Sequence, residues 1–370
     1  MQSTITPWEV KGDIDYDKLL REFGISPLKD LPKVFTDDLL FRRKIVFAHR
    51  DIQKILDAKK NSKPFVMMTG LMPTGKFHIG HMLIARQMIF YQQLGAKLYI
   101  AVADIEAFLA RNQPLEQSYQ NAVEDYITNY IALGLKPDNC EIYFQSKRSS
   151  DAKKANAYYR LQNILAKHAT FNEFKAVYGD ISPAKMVASL LQAADMLHPQ
   201  LAECEGPIPV VVPVGIDQDP HIRLARDISQ RIKLPMPPFI QLSSTYNAFM
   251  PGLSGGKMSS SDPNSFIALT DTKADVEKKI RKYAFSGGQP TLEEHRRKGG
   301  DPDIDVCFQY LKFFFEPDDK KLEKLSKDYK SGKLLTGELK EYTIKKITEF
   351  LEEHQKRREK AGSFISKYIR

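Results

Sequence analysis

The sequence predicts an α/β protein: a Rossmann-like, doubly wound parallel sheet with a helical insertion, followed by an all-helical C-terminal domain. Three observations carry this. Apolar runs short enough for buried strands, such as FVMMTG, KLYIAVAD and PIPVVVPVG, recur between Phe65 and Gly215. Helix-period segments separate them, and strands alternating with helices build parallel sheets. Beyond Asp271 only charged amphipathic helices remain, with no strand signal of comparable strength.

Taken in order, residues 1–62 read as an appended segment: TPWEV, IDYDKLLREFG, a basic FRRK and the helical pattern HRDIQKILDAKKN, closed by Lys63-Pro64. The first strand, FVMMTG, leads into a Pro-Thr-Gly turn. A helix from about His81 to Leu94 stops at Gly95, a C-terminal cap signal. KLYIAVAD is the second strand, a helix runs from about Leu115 to Leu133 before Gly134, and EIYFQS is the third. Helical patterns fill Asp151 to Leu197, PIPVVVPVG is the fourth strand, and QDPHIRLARDISQRI is again helical. The expected domains are therefore 1–62, a catalytic domain over 63–270 with a helical insertion at about 112–190, and a helical domain over 271–370. In that last domain the aromatic cluster CFQYLKFFF reads as helical core.

Hydrophobic content of 42% and charged content of 27% exclude a globally disordered or fibrous chain. No run is long enough to span a membrane, and the N-terminus has no signal-peptide apolar region, so the expected compartment is the cytoplasm. Cys140, Cys204 and Cys307 lie far apart without CxxC spacing, which points to reduced thiols and no structural metal. With 55 Lys and Arg against 46 Asp and Glu, the net charge of +9 favours a polyanionic partner, nucleic acid first. A basic enzyme without such a partner has the same charge.

The strongest local signal is PTGKFHIGH, Pro73 to His81, at a strand-to-helix junction. A helix N-terminus offers unpaired N–H groups to phosphate, Thr74 and Gly75 form the turn, and Gly80 lacks the Cβ that would hold a base or ribose away. His78 and His81, three positions apart, can face one phosphate group. The second signal is GGKMSSSDPNS, Gly255 to Ser265. Its glycines suit a mobile loop, Lys257 supplies a point charge for a leaving pyrophosphate, and Ser259, Ser260 and Ser261 supply donors beside Met258. Each could be an ordinary cap or a Ser-rich linker alone. Together, in this order and with a sheet between them, they point to one nucleotide site.

With HIGH at 78–81 and KMSSS at 257–261, the chain resembles a class I aminoacyl-tRNA synthetase. More narrowly, it resembles the tryptophanyl-tRNA synthetases of the archaeal and eukaryotic branch. The likeness runs through TPWEV, IDYDKL, FxHRD at 47–51, TFN at 170–172, GIDQDP at 215–220, AFSGG at 284–288, LEEHR at 292–296 and LTGEL at 335–339. It implies ATP as substrate with Mg²⁺ on its phosphates, tryptophan and tRNA(Trp) as partners, a homodimer, and anticodon binding by residues 271–370. By the same resemblance His78, His81 and Lys257 serve the phosphates. Ser260 stands where a second loop lysine is usual, which leaves more of the pyrophosphate charge to Lys257.

The amino-acid pocket departs from that pattern. Met68 and Ala101 occupy the positions where many relatives read the indole with Tyr and Gln, and TGLMPT replaces TGRGPS. Neither substitute can accept an indole N–H. LLQAADML at 190–197 instead resembles the bacterial tryptophanyl enzymes, with Asp195 as acceptor and Gln192 three positions earlier on the same helical face. By resemblance Glu106 and Gln218 hold the substrate ammonium and carboxylate, with Asp217 near the ribose. Strand C-terminal ends are where doubly wound sheets place ligands. Three alternatives share these features: a tyrosine-tRNA ligase, an HxGH nucleotidyltransferase acting on a small molecule, and an inert RNA-binding derivative of such an enzyme.

Overall fold

The computed structural model describes residues 4–5, 10–11, 16–233, 238–256, 258 and 262–369, with side chains from Leu20 onward. A short antiparallel pair, β1 (Thr4–Ile5) and β2 (Val10–Lys11), precedes the main sheet. That sheet consists of β3 (Ser26–Pro27), β4 (Val46–Arg50), β5 (Val66–Leu71), β6 (Lys97–Val102), β7 (Cys140–Phe144), β8 (Val210–Gly215) and β9 (Ser243–Asn247), in the order β3-β4-β9-β8-β5-β6-β7. From β9 to β7 every pairing is parallel. The chain winds outward from β5 through β6 to β7, returns to β8 beside β5, and winds outward again to β9. The winding reverses between β5 and β8, where a doubly wound sheet opens its ligand crevice. β5 pairs with β6 over six residues, Val66 to Leu71, but with β8 only at Val66 and Met67. The C-terminal halves of β5 and β8 therefore part, and the crevice begins there.

Strand residues alternate between two cores because successive side chains point to opposite faces. Val66, Met68, Tyr99, Ala101, Tyr143 and Val212 face one core, closed by helices Ala152–His168, Phe171–Tyr178, Pro183–Leu197 and Asp219–Arg231. Met67, Leu71, Ile100, Val102 and Ile142 face the other, which also takes helix Met82–Gln93 and side chains from the C-terminal helices, including Val276, Ile280, Phe313, Ile344 and Leu351. CFQYLKFFF forms an α-helical turn, Val306–Tyr310, continued by a π-helical turn, Leu311–Phe315, and Phe308, Tyr310, Phe313 and Phe315 are buried. As the sequence suggested, it is core.

Three boundaries differ from the sequence reading. Residues 1–62 are not wholly an appendage, because β3 and β4 extend the main sheet by antiparallel pairing onto β9. Arg50 of FxHRD donates to both carboxylate oxygens of buried Asp219 of GIDQDP, at 2.8 and 2.9 Å. The span 112–190 contains β7, so the helical insertion proper lies between β7 and β8. The helices beyond Asp271 share the core named above, and Ile142 N donates to Tyr368 O at 2.9 Å, covering part of the β7 edge.

Candidate active site

β5 delivers its chain into the crevice at Leu71, and the turn that follows contains Thr74 and Gly75, whose φ of +74° suits glycine. Tyr126 OH donates to Thr74 O at 2.9 Å, and Asp125 Oδ2 accepts from Phe77 N at 2.7 Å. Both residues lie on a π-helical turn, Ala122–Ile127, inside the helical stretch that begins at Leu115. Sequence reasoning missed them, since an inserted residue in a helix leaves no compositional trace.

The two signature histidines lie where the sequence placed them. A short 3₁₀ turn, Ile79–His81, precedes helix Met82–Gln93, and the imidazoles stack with centroids 3.8 Å apart. His78 Nδ1 accepts from Gly80 N at 3.2 Å, and His81 Nδ1 accepts from His78 N at 3.1 Å. A ring nitrogen that accepts from a backbone N–H is bare, so each neutral ring bears its proton on Nε2. Burial, together with the neighbouring His81, holds His78 well below the usual imidazole range, and burial pushes His81 down to about 4. Both are neutral hydrogen-bond donors at pH 7. A Cβ on Gly80 would lie 2.9 Å from Met258 Sδ and 3.0 Å from the His78 ring, which brings the second signature over the first. Phe266, just beyond the loop, lies 4.9 Å from His78. Lys257, Ser259, Ser260 and Ser261 lie outside the described residues.

Glu106 and Asp195 form a second set. Glu106 follows β6 and is buried, with Gln192 Nε2 donating to its carboxylate and its own N–H donating to Gln145 Oε1 at 3.2 Å. Asp195, on helix Pro183–Leu197, accepts from Tyr143 OH at 2.7 Å, Tyr158 OH at 2.8 Å and Gln145 Nε2 at 2.8 Å. Gln145 therefore links the Glu106 backbone N–H to the Asp195 carboxylate. Burial pushes Asp195 up to about 6 against these hydrogen bonds and the Arg148 charge. Burial and the Asp195 charge push Glu106 up to about 8. Gln192 and Asp195 thus join the same hydrogen-bonded set. Met68 and Ala101 line that side of the sheet as apolar, buried side chains.

Behind Asp195 lies a cluster that the sequence did not reveal. Arg148 is fully buried, donates to Glu141 at 2.6 Å, and points Nε and Nη2 at His198 Nε2 at 3.0 and 2.8 Å. His198 must then accept at Nε2, which leaves Nδ1–H to donate to Asp195 O at 2.9 Å. Tyr143 and Gln145 alternate along EIYFQ, and His198 follows Asp195 by three positions. The signal was a polar residue in each apolar run. At the end of β8, Gln218 Nε2 donates to Asp217 Oδ2 at 3.1 Å, and a Cβ on Gly215 would lie 2.5 Å from Asp217 Oδ1. Among the described residues there is no group of three or more metal-ligating side chains, and no helix long and apolar enough to cross a membrane.

The candidate site thus combines two neutral imidazoles at the helix start after β5 with two buried carboxyl groups, Glu106 and Asp195. The family model for tRNA synthetases class I (W and Y) matches residues 59–352. The tryptophan-tRNA ligase of Methanocaldococcus jannaschii is 42% identical over 99% of this chain and 98% of its own length. Among solved structures, the tryptophanyl-tRNA synthetase of Aeropyrum pernix superposes with a TM-score of 0.90 at 43% identity, covering 96% of each chain. That of Giardia lamblia gives 0.84 at 30% identity, over 96% of this chain and 95% of its own. The chain belongs to the tryptophanyl-tRNA synthetases, within the class I tRNA synthetases of the W and Y type.

Proposed function

We propose that the protein is a tryptophan-tRNA ligase that activates tryptophan with ATP and transfers it to tRNA(Trp). The stacked His78–His81 pair at the head of the helix after β5, together with the Glu106–Gln145–Asp195 set beyond β6 and β7, carries this reading. In the first step a tryptophan carboxylate oxygen attacks the α-phosphorus, the bond to the bridging oxygen breaks, and pyrophosphate leaves. In the second, a terminal ribose hydroxyl of the tRNA attacks the acyl carbon and AMP leaves. Neither step needs a protein nucleophile, so catalysis rests on positioning and on stabilising developing charge.

His78 and His81 donate from Nε2 to phosphate oxygens without themselves carrying charge, and Lys257 supplies the point charge for the leaving pyrophosphate. Thr74, Gly75, Gly80, Met258 and Ser259 to Ser261 surround the nucleotide, and Asp217 takes the ribose. ATP enters as its magnesium complex, the ion carried by the phosphates as part of the substrate. Glu106, with Gln192 against it, receives the ammonium, and Gln218 receives the carboxylate. A carboxylate offers about four lone-pair sites. Asp195 uses three, and the fourth accepts the indole N–H, with Met68 and Ala101 supplying apolar walls.

Residues 63–270 form the catalytic unit, residues 271–370 grip the anticodon stem, and the protein works as a cytoplasmic homodimer. Exposed Phe108, Leu115 and Tyr119, the last 5.0 Å from Phe144 of β7, form the apolar surface that suits dimer contact. ATP-pyrophosphate exchange with each amino acid in turn tests the reading. Tryptophan alone should support it. Robust exchange with tyrosine selects the tyrosine ligase, and exchange with no amino acid selects a small-molecule nucleotidyltransferase or an inert RNA-binding protein.

A further inference from the structure

The segment that bears His78 is held by hydrogen bonds leading away from the crevice to one distant helix. Phe77, the residue before His78, has both backbone polar groups engaged: its N–H donates to Asp125 Oδ2 at 2.7 Å, and its carbonyl accepts from Leu269 N at 3.1 Å. Both partners are themselves held by helix Thr336–Ala361. On the first route, Asp125 Oδ1 accepts from Asn129 Nδ2 at 2.9 Å, and Asn129 Oδ1 faces His354 Nε2 at 2.7 Å. Arg358 adds a contact of 3.4 Å to Asp125 Oδ1 and a 2.6 Å bond to Glu124 O. On the second route, Gln355 Nε2 donates to Leu269 O at 3.1 Å and to Asp271 O at 3.0 Å. The strip just after the KMSSS loop runs antiparallel to the first signature, with Ile79 N donating to Ile267 O at 3.0 Å.

We propose that His354, Gln355 and Arg358 are positioning residues for the nucleotide site, tying the placement of His78 to that of the C-terminal helix. The chemistry along the first route is self-consistent. Asn129 points its NH₂ at Asp125, so its carbonyl oxygen faces His354 and requires a donor there. Burial, with Arg357 and Arg358 close by, pushes His354 down to about 4, so the ring is neutral and holds its proton on Nε2. His354 Nδ1 has no hydrogen-bond partner among the described residues, so the side chain has one polar task. A buried chain of this kind transmits a displacement because breaking any link leaves an unpaired polar group in the interior. A shift of the helix must therefore move Phe77 or break both routes.

The inference rests on the reading of His78 and His81 as the ATP-phosphate site, and the test separates the two. ATP binding is measured by calorimetry on the full-length chain, and tryptophan KM by pyrophosphate exchange. His354→Ala should weaken ATP binding by roughly 10-fold, the range expected for a lost buried hydrogen bond. Tryptophan KM should stay within about 2-fold, the split that marks a role confined to the nucleotide. His354→Gln, which keeps a donor, should recover most of the loss, and His354→Ala with Asn129→Ala should be no worse than either alone. Native ATP affinity in folded His354→Ala, or equal weakening of ATP and tryptophan in step with a falling Tm, would overturn the proposal. If His354→Ala does not fold, half-buried Gln355→Ala tests the second route with the same expectations, and native ATP binding there overturns it equally. A native chain that binds ATP but performs no tryptophan-dependent exchange sinks the functional reading alone.

Discussion

Replacing Asp195 with Asn isolates the proposed indole contact better than Ala does. Three buried donors converge on the carboxylate, Tyr143 OH, Tyr158 OH and Gln145 Nε2, at 2.7 to 2.8 Å. Asp195→Ala would strand all three at ~1 to 3 kcal/mol each, a large share of the ~5 to 15 kcal/mol that keeps a domain folded. Asparagine keeps an oxygen for the two tyrosines, which share Oδ1, and puts an NH₂ where Oδ2 was. That NH₂ opposes Gln145 Nε2, and the glutamine cannot flip without giving up the Glu106 N–H that its oxygen now accepts at 3.2 Å. One hydrogen bond is lost in either orientation. The expected stability loss is therefore ~1 to 3 kcal/mol, and the protein stays folded. For tryptophan the loss is a hydrogen bond to a charged acceptor, ~1.5 to 3 kcal/mol, or roughly 10- to 100-fold in KM. ATP KM should hold. Exchange kinetics beside thermal unfolding read both, and a tryptophan KM within about 2-fold of native despite a lowered Tm refutes the indole contact.

Glu106, pushed up to about 8 from the usual carboxyl value of 4.5, is protonated in the free enzyme at pH 7, yet an ammonium ligand requires it ionised. Tryptophan KM should therefore fall ~10-fold per unit as pH rises toward about 8 and then level, and Glu106→Gln should flatten the profile. The same shift lowers stability between about pH 4.5 and 8, where the unfolded chain ionises Glu106 and the native one does not; Asp195, pushed up to about 6, adds to the decline at the acid end, so Glu106→Gln should remove the fall in urea midpoint above about pH 6. Asp219→Ala leaves the Arg50 guanidinium without its buried bidentate partner and should cost ~3 to 5 kcal/mol by chemical denaturation; a loss under ~1 kcal/mol would mean the pair is not what joins β4 to the sheet. Gly80→Ala drives a Cβ against the His78 ring at 3.0 Å, and adenylate formation should slow by ~10²-fold with tryptophan affinity intact.

What the sequence made legible follows from how each feature signals itself. β5, β6, β7 and β8 are buried on both faces and therefore read as apolar runs. β9 is equally buried, yet its residues are Ser243, Ser244, Thr245, Tyr246 and Asn247. Their polar atoms are satisfied inside the sheet: Ser243 Oγ donates to Asp51 O at 2.7 Å, Ser244 Oγ donates to Tyr246 OH at 2.8 Å, and Thr245 Oγ1 pairs with Gln87 at 3.3 Å. A strand whose interior is hydrogen-bonded has no hydrophobic signature. β4 was hidden differently, since VFAHR runs into HRDIQKIL and the helical period beginning at Gln53 masks the extended residues before it. The histidines and glycine of the first signature were legible because a strand-turn-helix junction restricts which residues can meet phosphate. The Tyr143 and Tyr158 contacts to Asp195 were not, because they join residues 52 and 37 positions away in sequence.

The motifs that mark the family divide along the same physical line. FxHRD meets GIDQDP through Arg50 and Asp219, and AFSGG, LEEHR and LTGEL meet around His295 and Gly332. Arg296 Nη1 donates to Gly332 O and Lys333 O at 3.0 and 2.6 Å, and His295 Nε2 faces Leu334 O at 3.0 Å. At Gly299, with φ of +73°, a Cβ would fall 1.8 Å from Lys330 O, so two backbones touch where no side chain fits. Such a contact admits one residue type, because the obstacle is backbone and cannot move aside. A pocket acceptor is less constrained: any element that brings a lone pair to the right point satisfies the indole. On the proposed reading, positions 68 and 101 on the strands are apolar here because Asp195 on helix Pro183–Leu197 supplies the carboxylate. A residue such as Gly299 is fixed by backbone geometry, whereas the proposed indole acceptor can sit at any address in the fold that brings its lone pair to the same point.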